Sequence, residues 1–290
     1  MAGTKTKGVP ERGIRYWLIR GILLVFALLL ILPALLFLVM TVVSMLSRPE
    51  DPQAAKRRGD ELLEIRNKII VTVSAHPDDV DYWASGTLAQ LHQNGNIIIM
   101  VLGTSGEKGN GTPNLGEIRE KEQEKAGSIV GYDRVIFLRH PDRGLKANSK
   151  FKKELRKIFG QYKPDILFTF DIEKEAMIYH HSDHRAAGNG AHSVAPEFDS
   201  INTIYQFHTK APNVVVDVTD VVDIKAEVLD AHNSTRGSNN GLMRIFAAIF
   251  RLFGSGDDNN PRQYGLDGSF RKELGVKYAE TFRVIDNHAK

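Results

Sequence analysis

Two short segments of this chain concentrate side chains that can bind a metal ion and move protons. The first is His76-Pro77-Asp78-Asp79 and the second is His180-His181-Ser182-Asp183-His184. An imidazole beside two carboxylates offers nitrogen and oxygen ligands together with a spare base. His181 and His184 are spaced to share one side of a helical turn. The chain has no cysteine, so any metal must be held by histidines and carboxylates.

Together the two segments predict a catalytic zinc site. Such a site uses three protein ligands and leaves a fourth position for a water, whose pKa falls to about 7. A free carboxylate then serves as general base, and a second imidazole stabilises the oxyanion and protonates the leaving amine. Plainer explanations are a helix N-cap for one aspartate of the first segment and a solvated polar loop for the second. Neither explains a whole segment well.

The elements that must position these segments are two buried strands. Ile69–Ser74 and Ile166–Phe170 are short apolar runs typical of parallel strands, and the two segments follow them. Ligands of open α/β sheets bind outside the carboxyl ends of strands, so we expect the site there. Further strands are predicted at 97–102, 135–138 and 214–218, and helices at 86–94, 117–130, 151–162, 185–191 and 221–231. This alternation predicts an α/β fold with a Rossmann-like, mostly parallel sheet flanked by helices.

A long apolar run precedes this domain. Residues 21–47 contain no charged side chain, and about 20 apolar residues cross a bilayer core. We therefore predict one N-terminal transmembrane helix. A cleaved signal peptide is the alternative, but its apolar region would be only about 7–15 residues long.

The resulting organisation is a basic segment at 1–20, a transmembrane anchor at 21–47, a linker at 48–67 and a catalytic domain at 68–290. Basic residues before the span favour a cytoplasmic N-terminus and a domain outside. A second apolar run, 242–253, is too short to span a bilayer and predicts a packed or an interfacial helix. The net charge of +3, without a long basic run, gives no indication of nucleic-acid binding.

The two segments resemble the signature of the PIG-L/LmbE-like zinc-dependent de-N-acetylases. The resemblance extends over about 68–284 and includes 85–89, 103–107, Arg119-x-x-Glu122, 212–219 and Ala231-His232-x-Ser234. It implies that His76, Asp79 and His184 ligate Zn²⁺ and that Asp78 is the general base. It further implies that His181 stabilises charge and donates a proton, and that Asp183 supports a histidine.

Three more residues are substrate-binding candidates by the same resemblance: Arg119, Glu122 and His232. The plainer alternative for Arg119 is a salt bridge on the helix surface with Glu122 or Gln123. We expect His140-Pro141-Asp142, which repeats part of the first segment, at the rim of the pocket. The chain departs from the family where a glutamate usually follows the paired aspartates, because Val80 and then Asp81 stand there. It also has Thr235 where a glutamine is usual.

The resemblance implies an enzyme that hydrolyses the N-acetyl group of an N-acetylglucosamine-type substrate to acetate and a free amine. The predicted anchor adds the expectation of a membrane or lipid-linked glycoconjugate. One alternative is a non-catalytic, membrane-tethered saccharide-binding protein with a relic metal site, for which the base Asp78 would have no use. Another is a zinc phosphoesterase, which normally shows a two-metal ligand set.

Overall fold

A computed structural model describes residues 16–17, 19–24, 31, 35, 48–176, 181–236 and 270–288. The chain divides into two compact units, Met1–Leu46 and Ser47–Lys290. Within the described ranges, no helix is both long enough and apolar enough to cross a membrane. Most of the predicted transmembrane helix at 21–47 and all of the predicted helix at 242–253 lie outside these ranges, so both stay predictions.

The second unit is built around one sheet, in which the described residues form seven strands. These are β1 (Ile69–Ser74), β2 (Ile97–Thr104), β3 (Arg134–His140), β4 (Ile166–Phe170), β5 (Thr203–Phe207), β6 (Val214–Asp217) and β7 (Ala279–Asp286). Their order is β3-β2-β1-β4-β5-β7-β6. The pairs among β1 to β5 are parallel, whereas β7 runs antiparallel to β5 and β6. The predicted mostly parallel sheet is confirmed, and the antiparallel edge is an addition to it.

Helices cover both faces of this sheet. In chain order they are α1 (Pro52–Glu64), α2 (Asp79–Gln93), α3 (Leu115–Val130), α4 (Ser149–Tyr162), α5 (Ser182–Val194), α6 (Val222–Ala231), α7 (Asn233–Arg236) and α8 (Arg271–Leu274). Helices α2, α3 and α6 pack against one another, as do α4 and α5. Helices α2 and α5 begin earlier than predicted, so the two chemically active segments lie at their first turns.

The segment 48–67, predicted as a linker, includes a helix. It forms α1, where the side chain of Asp51 caps the helix by accepting from the N–H of Ala54. The helix packs on strand β6. A Cβ atom at Gly59 would lie 1.9 Å from the carbonyl oxygen of Val215, so only glycine permits this approach.

The order of the strands explains where a site can form. Strands β1 and β4 are central neighbours, and the chain continues from β1 to β2 and β3 on one side but from β4 to β5 on the other. Such a reversal opens a crevice at the carboxyl ends of the two strands. Because Ile70 pairs with Ile166, both strands end at the same edge. The two segments predicted to carry the chemistry therefore meet there.

A buried ion pair fixes helix α2 beside this crevice. The Nζ atom of Lys225 on α6 lies 2.6 Å from Oε1 of Glu280 on β7, and neither side chain is exposed. Glu280 also accepts from the backbone N–H groups of Gly86 and Thr87, at 3.0 and 2.7 Å. Lys225 donates to the carbonyl oxygen of Tyr82 at 2.7 Å. These hydrogen bonds offset the desolvation of both charges.

Removal of one partner of this pair should destabilise the domain strongly. Lys225→Met leaves Glu280 buried and unpaired, which costs about 3–5 kcal/mol in the free energy of unfolding. Urea denaturation followed by circular dichroism measures the loss. Arg156→Gln, which breaks the exposed pair with Glu197, is the control and should leave the midpoint unchanged. An unchanged midpoint for Lys225→Met would contradict the role assigned to the pair.

Candidate active site

The carboxylate of Asp79 joins the two halves of the site. Its Oδ2 atom accepts from the N–H groups of His76 and Ala75, at 2.8 and 3.2 Å, and so closes the turn after β1. The same atom lies 3.4 Å from Nδ1 of His76. Its Oδ1 atom lies 3.2 Å from Nε2 of His184, which is on the first turn of α5. The structure thus brings together the three predicted metal ligands.

Three imidazoles cluster around this carboxylate. Ligand atoms of His76, His181 and His184 all lie within 4.8 Å of one another. The ring of His184 stacks on Phe170, the last residue of β4, with centroids 4.3 Å apart and planes at 11°. This stacking fixes the direction of the imidazole. His180 lies outside the described residues.

Two further carboxylates lie behind His76. The Nε2 atom of His76 is 3.3 Å from Oδ1 of Asp142 and 3.4 Å from Oδ2 of Asp183. Asp142 accepts from the N–H of Lys108 at 2.8 Å, and Asp183 accepts from the N–H of Arg143 at 2.6 Å. Both carboxylates are therefore held by backbone donors. Asp183 supports His76 in this structure.

The expectation that Asp142 lies at the rim of the pocket is wrong. Its side chain is buried, and it faces His76. The signal that could have placed it is its position directly after strand β3, since β2 pairs with both β1 and β3. Carboxyl ends of parallel strands share an edge of the sheet, so His140-Pro141-Asp142 follows β3 as the first segment follows β1.

The electrostatics of this cluster favour a bound cation. Burial lowers the pKa of His76, but Asp79, Asp142 and Asp183 together raise it to about 12. Burial raises the pKa of Asp79, yet His184 and His76 hold it well below its usual range. Three carboxylates around one imidazole concentrate negative charge at a buried point, which attracts positive charge.

The residues also fit a zinc ion in their donor chemistry. One nitrogen of each imidazole, Nδ1 of His76 and Nε2 of His184, faces the shared carboxylate of Asp79. Imidazole nitrogens and carboxylate oxygens without thiolates form a set that Zn²⁺ accepts. His76, Asp79 and His184 are the residues that would hold it. Asp142 and Asp183 would then orient His76 from its far side.

Asp78 lies next to the proposed metal ligands in the chain but is not one of them. It stands at the N-cap position of α2, but its side chain caps no N–H of that helix. Its backbone has φ 90° and ψ −25°, a left-handed conformation that costs a non-glycine residue about 1–3 kcal/mol. Its Oδ2 atom lies 3.0 Å from Nη2 of Arg119. Burial raises the pKa of Asp78 more than Arg119 lowers it, which suits a general base.

His181 presents a hydrogen-bond donor. Its Nδ1 atom accepts from the backbone N–H of Asp183 at 3.2 Å. The neutral ring therefore carries its proton on Nε2. Burial, followed by the nearby His76 and His184, lowers the pKa of His181. The side chain is half-buried and adjoins the other two imidazoles.

Arg119 is not a surface residue, so its predicted alternative of a helix-surface salt bridge is wrong. It is 7% exposed and pairs with Asp78 rather than with Glu122 or Gln123. Its guanidinium also donates to the carbonyl oxygens of Pro77 and Gly106.

Glu122 and His232 hold the segment after helix α6. Glu122 accepts from the N–H and the hydroxyl of Ser234, at 2.8 and 2.6 Å. His232 is 2% exposed, and its Nε2 atom lies 2.8 Å from Oδ2 of Asp81. Both side chains thus have partners inside the protein. Their contact with substrate stays a prediction, as does that of Arg119.

Comparison with known proteins finds similarity to deacetylases over part of the chain. Residues 71–195 match the family model PIG-L, described as GlcNAc-PI de-N-acetylase. Diacetylchitobiose deacetylase of Thermococcus kodakarensis is 26% identical over 190 residues, which cover 58% of this chain and 70% of that protein. A second relative, from Corynebacterium diphtheriae, is 1D-myo-inositol 2-acetamido-2-deoxy-alpha-D-glucopyranoside deacetylase. It is 31% identical over 158 residues, or 44% of this chain and 53% of its own length.

The fold is also shared with a solved deacetylase structure. N,N'-diacetylchitobiose deacetylase from Pyrococcus horikoshii, in complex with its inhibitor MPG, superposes with a TM-score of 0.62 at 24% identity. The superposition covers 80% of this chain and 91% of that one. The architecture of the second unit is therefore that of a known deacetylase.

The zinc content of single variants should distinguish the proposed metal ligands from the histidines near them. Protein dialysed against zinc should retain about one ion per chain, measured by inductively coupled plasma mass spectrometry. His184→Ala should lose the ion because one of the three proposed ligands is removed. His181→Ala should retain it, and so should the control His192→Ala on the same helix. Loss of zinc from His181→Ala, or full retention by His184→Ala, would contradict the assigned ligand set.

Proposed function

We propose that this chain, which contains a domain of the PIG-L family, is a zinc-dependent deacetylase of N-acetylglucosamine-type substrates. It releases acetate and leaves a free amine on the sugar. The observation that carries the proposal is the shared carboxylate of Asp79 between His76 and His184. A saccharide-binding protein with a relic metal site would keep such a cluster but would have no use for the base that Asp78 provides beside it.

The chain's own residues supply the proton chemistry. A bound zinc ion supplies Lewis acidity and lowers the pKa of water toward about 7. Asp78, with its raised pKa, removes a proton from the water that adds to the acetamide carbonyl carbon. The Nε2–H of His181 donates to the carbonyl oxygen as it gains negative charge. The C–N bond then breaks, and the nitrogen leaves as an amine after it receives the proton that Asp78 had taken.

The relatives support the proposed class of substrate. Those from Thermococcus kodakarensis and Corynebacterium diphtheriae are named for acetamido-sugar substrates, with diacetylchitobiose in one and an inositol glycoside in the other. Their common part is an N-acetylated glucosamine unit. The chain spans only about half of the second relative, so the group attached to that sugar is assigned from neither.

Location at a membrane is a further part of the proposal. The uncharged, apolar run at 21–47 supports a single anchor, with the catalytic domain on the extracytoplasmic side. A domain tethered in this way acts on a membrane or lipid-linked glycoconjugate. The full chain should sediment with membranes and stay there through an alkaline wash. Release into the supernatant would overturn the anchor but not the deacetylase activity.

A direct assay tests the activity itself. The full chain is incubated with zinc and either diacetylchitobiose or N-acetylglucosaminyl-inositol, and the products are examined by mass spectrometry. We expect the loss of one acetyl group, inhibition by a chelator and recovery on addition of zinc. Saturable binding of these sugars by zinc-loaded protein without loss of acetyl would favour the non-catalytic alternative.

Asp78→Asn should separate metal binding from turnover. The amide cannot accept the proton of the attacking water, so kcat should fall about 10²–10⁴-fold. Zinc content should stay at the wild-type level, because Asp78 is not among the ligands. Acetate release and metal analysis measure the two quantities. Asp60→Asn, which changes an exposed aspartate on α1, is the matched control. Loss of zinc from Asp78→Asn would mean that the roles of Asp78 and Asp79 are reversed.

A further inference from the structure

We infer that Gln123 and Asp81 are positioning residues that hold Asp78 in its left-handed conformation. The inference rests on the proposed role of Asp78 as the base. It concerns how the chain presents that carboxylate, and it assigns a purpose to the buried polar network around Gln123 and Asp81.

The side-chain amide of Gln123 links the two aspartates. Its Oε1 atom accepts from the backbone N–H of Asp78 at 3.0 Å. Its Nε2 atom donates to Oδ2 of Asp81 at 2.6 Å. Gln123 is completely buried. The orientation of the amide is determined by its partners, because a backbone N–H can only donate and a carboxylate can only accept.

Asp81 is in turn fixed by two other elements. Its Oδ1 atom accepts from the hydroxyl of Tyr132 at 2.8 Å, and its Oδ2 atom lies 2.8 Å from Nε2 of His232. Asp81 is fully buried, and a buried carboxylate with several donors has little freedom to move. The loop before β3 and the end of α6 thereby hold the carboxylate that aligns Gln123.

The chain has Val80 and then Asp81 where the family usually has a glutamate directly after the paired aspartates. Val80 is 1% exposed and belongs to the hydrophobic core. The next residue on a helix projects about 100° around the axis, so an acidic group at 81 points to a different neighbour from one at 80. In this chain that neighbour is Gln123 on α3. Asp81 therefore contacts α3, the helix whose Gln123 also binds the backbone N–H of Asp78.

Helix α3 binds both polar atoms of the peptide group that joins Pro77 to Asp78. Gln123 binds the N–H of Asp78, and Arg119, one turn earlier, donates to the carbonyl oxygen of Pro77. Strained backbone conformations persist where the surroundings over-determine them. The direction of the Cα–Cβ bond of Asp78 depends on this conformation. A relaxed backbone would move its carboxylate, and a displacement of about 1 Å at a reacting group can reduce the rate about 100-fold.

Gln123→Met tests the inference, since methionine fills the space but makes neither hydrogen bond. We expect kcat to fall about 10–100-fold, with KM and zinc content unchanged. A crystal structure of the variant should show Asp78 with a negative φ. The matched control is Gln90→Met. Gln90, like Gln123, is a glutamine on a helix, but its side chain donates to the backbone carbonyl of Asp217 and not to Asp81. An equal fall in kcat for this control, or no fall for Gln123→Met, would overturn the inference.

Exchanging the hydrogen-bond donor and acceptor between positions 81 and 123 should restore the activity that Gln123→Glu loses. Gln123→Glu alone places two carboxylates side by side and should reduce kcat as Gln123→Met does. The double substitution Asp81→Asn with Gln123→Glu restores one donor facing one acceptor, and kcat should return to within about threefold of wild type. A double variant no more active than Gln123→Glu would overturn the inference. This comparison holds even where Gln123→Met fails to fold.

The two proposals fail in different ways. If the wild-type protein binds zinc but releases no acetate from the N-acetylated sugars, the proposed function is wrong. The crystallographic φ of Asp78 in Gln123→Met then still decides the positioning role, since a value that stays near that of the wild type contradicts it.

Discussion

The site depends on one carboxylate that serves two segments of chain far apart in sequence. Asp79 accepts backbone N–H groups from the turn after β1 and lies within 3.4 Å of an imidazole from each segment. Burial raises the pKa of Asp79, but the nearby His184 and His76 hold it well below its usual range. Without Asp79 the imidazoles would have no common partner, so the remainder of the site is arranged around it.

The fold supplies the geometry that this interaction needs. Strands β1 and β4 are adjacent and parallel, and the chain departs from them in opposite directions. Their carboxyl ends therefore face an open crevice rather than a crossing helix. The buried pair of Lys225 and Glu280 then holds helix α2 from outside the crevice. The proposed chemistry at the first turn of α2 is therefore supported by a charge pair that contacts the backbone of this helix.

The central strands and the two segments that follow them could be predicted from the sequence, because short-range patterns of apolar and polar residues indicate them. Ile69–Ser74 and Ile166–Phe170 have the bounds expected of them, because buried parallel strands are short apolar runs between polar turns. Strands β5 and β7 are not among the predicted elements, because their positions depend on pairing between distant segments. The buried position of Asp142 is not predicted either, although its place directly after β3 is the signal that could have indicated it. The roles of Gln123 and Asp81 were also missed, because they arise only where helices α2 and α3 pack.

If the proposed site is correct, the segments that follow β1 and β4 bind one common ion. Anomalous diffraction at the zinc absorption edge, from crystals of the zinc-loaded protein, locates that ion. We expect a peak at about 2.0–2.2 Å from one nitrogen of His76, one nitrogen of His184 and one oxygen of Asp79. A peak that contacts only one of the two histidines, or that lies among other residues, would contradict the proposed site.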